Sequence, residues 1–185
     1  MKVTDSEKLI LVMLSELYDA IGVNGEIDPD FIRSAVLDDK TWSIPWKYPG
    51  INFSENDTPT IVKEVLDILD MWSVIEESYE FLSENEKEYV ANKAEPFGKD
   101  PKFRGFDGNN ESEYMSTASF LINKLDRFEE FKGRNLNSHM HVVEVYQRML
   151  PTFEKIRENT GFPFNAAQIV EVLKAQIHPD YRDKA

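Results

Sequence analysis

The sequence lacks cysteine altogether, which excludes disulfides, thiolate zinc sites and cysteine nucleophiles and fits a reducing compartment. It also lacks a long hydrophobic run. The stretch Leu9 to Leu14 falls far short of the ~20 apolar residues that a membrane span needs. Asp5, Glu7 and Lys8 interrupt the basic start and apolar run of a secretion signal. Base is scarce: 21 Lys and Arg face 34 Asp and Glu, a formal net charge of −13. A surface this negative repels phosphate backbones and anionic lipid, so neither a nucleic-acid nor a membrane partner is expected. The acid is concentrated early, with 22 acidic against 9 basic residues in 1–100 and 12 of each in 101–185. Gly-x-Gly and Gly-Lys-Ser phosphate loops are absent, and no serine sits in a nucleophile-elbow frame. Dinucleotide, kinase and hydrolase chemistry lose support accordingly. The expectation is a cytoplasmic protein without a cofactor.

What is present is helical. Hydrophobic residues make up 41% and charged residues 30%, enough at this length to build one domain over 1–185. Thr4 and Glu7 have capping-box spacing, and Leu9, Ile10, Met13, Leu14, Leu17 and Ile21 then recur at helical intervals, which predicts a helix over Asp5 to Ala20. Asp28 and Pro29 open a second helix that ends near Lys40, with Phe31, Ile32, Ala35 and Val36 inward. Residues 41–57 carry Trp42, Trp46, Tyr48 and three turn-forming residues, Pro45, Pro49 and Gly50. They read as a loop that is packed because its aromatics need shelter.

From Thr58, the residues Ile61, Val65, Ile68, Trp72, Ile75, Tyr79 and Leu82 follow at alternating steps of four and three. An unbroken helix to Lys93 would span ~54 Å, against a radius of gyration of ~16 Å for a globule of this length. Either it breaks around Ser83 to Asn85, or its far end packs on another subunit. Further helices are expected from Glu111 to Gly133, from Asn137 or Ser138 across Pro151 towards Gly161, and from Asn165 to Pro179. No strand pattern competes. The fold class is all-α, a single-domain bundle of about six helices around one long heptad-bearing helix.

Few side chains suggest chemistry. His139 and His141 would point to different faces of a helix and have no chelating partner nearby, so no metal is assigned. Glu76, Glu77, Glu80, Glu84, Glu86 and Glu88 read as a solvated acidic helix face. The strongest polar grouping is Arg104, Asp107, Arg127, His139 and Arg148, which could converge on an anionic small molecule; the structural alternative is that they cap helices and tie layers together. Trp42, Trp46, Trp72 and Tyr79 are the candidates for self-association.

Several phrases occur together: Phe103-Arg-Gly-Phe-Asp107, Glu113-Tyr114, Arg127-Phe128, Asn137-Ser-His139 and Tyr146-Gln-Arg-Met-Leu150, with Ser6 to Leu11, Ile27 to Phe31, Trp42 to Ile51 and Leu66 to Met71. In combination they resemble the YfbU family of small helical bacterial proteins over nearly the whole chain. The resemblance implies an all-helical, cytosolic bacterial protein that self-associates, and it carries no catalytic residue onto these positions. One departure is Gln168, where the family pattern has glutamate. The functional expectation is a non-catalytic interaction or regulatory protein forming a homodimer or higher homo-oligomer. The alternative is an enzyme or sensor with an Arg/His-lined pocket for an anion.

Overall fold

The computed structural model describes residues 2–23, 25–53, 58–178 and 180. The end of the tryptophan loop, 54–57, and Pro179, the expected stop of the last helix, lie outside the described residues. Among the described residues there are eight α-helices and no strand, and no helix is long and apolar enough to cross a membrane. The chain forms two compact units, Met1–Val62 and Lys63–Ala185.

In the first unit, α1 (Asp5–Ile21) starts at the expected capping box. The Glu7 amide donates to Thr4 Oγ1 (3.4 Å), and the Glu7 carboxylate accepts from the Thr4 amide (2.8 Å). Gly22, at φ +66°, closes the helix. Here α2 (Pro29–Leu37) is capped by Asp28, whose side chain accepts from the Phe31 amide. Phe31, Ala35 and Val36 are buried. The tryptophan loop is packed as expected, and it also contains a 3-10 turn at Thr41–Ser43 and the short helix α3 (Ile44–Lys47). Trp42 and Trp46 meet edge to face at 5.0 Å, and Tyr48 does the same with Phe31 at 6.0 Å.

The apolar side of α1 is a surprise. A stripe at helical spacing ordinarily faces the core, yet Leu9, Ile10, Met13, Leu14, Leu17 and Ile21 are 49–63% exposed. The side that packs in this unit carries Lys8, Leu11, Val12, Ser15 and Tyr18, all buried or half-buried. Ser15 is buried there because its hydroxyl donates to the Leu11 carbonyl (2.8 Å) and needs no other partner. Two ion pairs tie the helix to the α2 region, Arg33–Asp19 and Lys8–Asp39, each at 2.8 Å.

In the second unit the long helix is divided. The helix α4 (Thr60–Glu80) stops, and α5 (Glu84–Lys93) restarts behind a capping box in which the Glu86 carboxylate accepts from the Ser83 amide (2.9 Å) and the Ser83 hydroxyl (2.6 Å). A serine three residues before a glutamate supplies partners for amides that a helix start would otherwise leave orphaned. The heptad rod therefore becomes two helices. Its inner face is sunk in the core: Val65, Ile68, Leu69, Met71 and Ile75 are fully buried.

The remaining helices are α6 (Ser112–Asn123), α7 (Val143–Asn159) and α8 (Ala166–Lys174). As expected, α7 runs through Pro151, although it starts at Val143 rather than behind a cap at Asn137 or Ser138, and α8 is capped by Asn165 with Gln168 reaching back to the Asn165 amide (2.8 Å). The expected helix to Gly133 ends ten residues early. Residues 124–142 form an irregular segment holding a 3-10 turn at Glu129–Phe131, with Asp126, Phe128 and His139 at positive φ. The count of about six helices becomes eight through α3 and the α4/α5 division.

Candidate functional site

The buried polar groups of the second unit hold two irregular segments together. Glu76, expected on a solvated acidic face, is only 8% exposed. Its Oε1 accepts from the Phe103 amide (2.7 Å), and Arg134 Nη1 donates to both of its oxygens (3.0 and 2.8 Å). The same guanidinium lies over the Phe131 ring. Glu76 follows Trp72 by four residues, which puts it on the inner side of α4; a buried carboxylate is tolerable there because an arginine and an amide meet it. Glu111 is equally buried. Its Oε1 accepts from the amides of Val142 and Val143 (both 2.8 Å), and its Oε2 accepts from the Asp107 amide (2.9 Å). The exposed His141 brings Nδ1 to 4.0 Å from it.

Between these carboxylates the phrase Phe103–Asp107 runs beside 136–138. The Phe106 amide donates to the Leu136 carbonyl (2.9 Å), and the Ser138 amide donates to the Phe106 carbonyl (3.0 Å). Gly105 permits the approach. It sits at φ +81°, and a Cβ there would lie 2.0 Å from the Leu136 oxygen. The Tyr146 hydroxyl donates to the Gly105 carbonyl (3.2 Å), and burial pushes its pKa well above the usual phenol value. Tyr114 donates to Glu64; burial, then that carboxylate, raise its pKa to about 12.

The five candidates for anion binding occupy different roles. Asp107 is buried, and its carboxylate accepts from the Asn110 side chain (2.6 Å) and the Asn109 amide (3.0 Å), interactions that hold its pKa below the ordinary range. Arg104 and Arg127 are exposed. His139 is exposed in a left-handed conformation, its amide donating to Asn137 Oδ1 (3.0 Å), which also accepts from the Gly108 amide (3.1 Å). Arg148 donates from Nη2 to the Gln176 carbonyl (3.0 Å). The buried charged groups are instead the Glu76–Arg134 pair at one end of the Phe103–Asp107 phrase and Glu111 at the other. Sequence reading missed them because their partners lie 27 to 58 positions away. Among the described residues, no group of three or more His, Asp or Glu side chains stands at metal-holding distance.

Of the self-association candidates, Trp72 is a core residue, 3% exposed and edge to face with Tyr146 at 5.6 Å. Tyr79 is half-buried under Lys87. Trp42 is buried against the half-buried Trp46. In the second unit the exposed Phe81 and Phe162 meet edge to face at 6.2 Å, and in the first unit the accessible apolar stripe lies on α1. Beside that stripe runs a groove of about 280 Å3, lined by residues that include Leu11, Leu14, Tyr18, Ile32, Ile44 and Ile51. Leu14 belongs to both. Two polar groups at its wall are engaged: Ser15 donates to Leu11, and the Tyr48 hydroxyl accepts from the Asp28 amide (2.9 Å). Stripe and groove offer apolar burial rather than hydrogen bonding or charge.

Comparison with curated proteins and with solved structures gave no match. A family model described as the YfbU domain matches residues 1–175. The chain thus belongs to the YfbU family, as its Phe103–Asp107 phrase and the motifs around it led us to expect.

Proposed function

We propose that this YfbU protein is a non-catalytic interaction protein that self-associates, and that its contact surface is the outer face of α1. One observation carries the reading: six large apolar side chains on one helix are 49–63% exposed. With roughly 100 Å2 of each in water, the stripe amounts to about 600 Å2 per chain and ~1,200 Å2 across two chains, the lower end of what a specific interface buries. The buried carboxylates of the second unit support the non-catalytic side of the reading. Glu76 and Glu111 spend their oxygens on backbone amides and on Arg134, which suits anchoring better than proton transfer.

Light scattering on the full chain at micromolar concentration tests the proposal. The expected mass is a multiple of 21.5 kDa, falling to that of one chain for Met13→Asp with an unchanged circular dichroism spectrum. A monomeric parent protein overturns it.

A further inference from the structure

We infer that the partner of α1 is α1 of a second copy, packed antiparallel about a two-fold axis at the height of residue 15. The inference rests on the self-association reading and adds its geometry. The exposed residues run from Leu9 to Ile21, and Ile10, Met13, Leu17 and Ala20 stand at the three-four-three spacing of a helix–helix seam. The same face carries a surface hollow lined by these four residues with Leu14 and Glu16. A stripe symmetric about its own midpoint can cover itself in an isologous pair, and two-fold pairs are the commonest closed assembly.

Charge chooses the direction. The first turn of α1 holds Asp5 and Glu7, and its last turn holds no base. Parallel pairing would set the two acidic ends side by side, along with the two positive dipole ends. Antiparallel pairing moves Asp5 and Glu7 ~24 Å or more from their own counterparts, sets Asp19 of the last turn level with Leu11 rather than with its own copy, and opposes the dipoles. Around an axis at the height of residue 15, Ile10 faces Ala20 of the other copy, Met13 faces Leu17 and Leu9 faces Ile21. Glu16 then faces Leu14 rather than its own counterpart. The groove shares Leu14 with the seam, so the apolar surface continues past α1 on one side.

The chain contains no cysteine, so single introduced thiols report the geometry. Met13→Cys and, as a second reporter near the axis, Leu14→Cys are expected to form a covalent dimer on diamide oxidation. Leu9→Cys alone and Ile21→Cys alone, each ~18 Å from its own copy along the seam, are expected to stay uncrosslinked, whereas mixing the two yields a heterodimer. Crosslinking of Ile21→Cys with itself as fast as Met13→Cys indicates parallel pairing and overturns the inference. A dimer by light scattering with no crosslink at any of these positions moves the seam away from α1 and also overturns it. A monomer by light scattering overturns the underlying reading as well, and a loss of thermal stability in Met13→Asp would then show that the chain covers this face itself.

Discussion

The helices α1 and α4 carry apolar stripes of comparable strength and meet opposite fates. Ile68, Leu69 and Met71 on α4 are completely buried, while Leu9, Met13 and Leu17 on α1 are half in water or more. On α1 the packed side even includes a serine, made acceptable by its hydrogen bond to Leu11. Periodicity specifies that a helix will form and which side is apolar; it does not specify which neighbour covers that side. The polar groups differ in parallel. The second unit buries Glu76 and Glu111 with full sets of partners, whereas the ion pairs of the first unit involve partly or largely exposed side chains.

The contrast can be broken by mutation, and the largest effect should come from Glu111→Ala. It strips acceptors from three backbone amides at once and should cost about 3–5 kcal/mol in urea unfolding of the second unit; a loss under about 1 kcal/mol would mean that water replaces the carboxylate freely. Next, Ile68→Ala should cost about 2–5 kcal/mol, as cavity formation in a packed core does. Gly105→Ala follows, at roughly 2–3 kcal/mol, because the left-handed backbone and the Leu136 oxygen 2.0 Å from the new Cβ force the two segments apart. A smaller effect is expected with alkali. The pKa values of Tyr114 and Tyr146 are raised in the folded protein, so the stability linked to their protonated forms is complete below the unfolded phenol value near ~10 and declines as pH rises through about 12. Tyrosinate absorbance equivalent to two of the seven tyrosines that appears only with loss of the helical spectrum would confirm the linkage; ionisation of all seven with the fold intact would refute it. The smallest effect is Leu17→Ala, under about 0.5 kcal/mol at concentrations where the chain is monomeric. A cost like that of Ile68→Ala there would erase the distinction between the two helices.

Local signals were the legible ones. Thr4 with Glu7, Asp28 with Pro29 and Asn165 opening α8 mark their helix starts correctly, because a cap is decided within four residues. The division of the heptad helix was half-legible: Ser83 to Asn85 could be named as a breaking point, but the choice between breaking and projecting depends on what the core can hold. Non-local facts were hidden. Glu76 resembles its acidic neighbours on α4 until Arg134 is brought to it, and the helical pattern before Gly133 gave no warning that the chain turns irregular after Asn123. The candidate contact face was visible as residues and invisible as surface. The boundary of the compact units, Val62 to Lys63, falls inside α4 rather than in any linker, so composition offers no mark of it.

The outward leucines of α1 also bear on colloidal behaviour. The unit that bears them carries 11 acidic against 5 basic residues, and mutual repulsion between like-charged molecules limits how readily such greasy patches coalesce. Acidification toward the isoelectric point near 4.7 withdraws that repulsion and leaves the patches in place, so turbidity should rise there with the helices still formed, and Leu9→Asp should delay it.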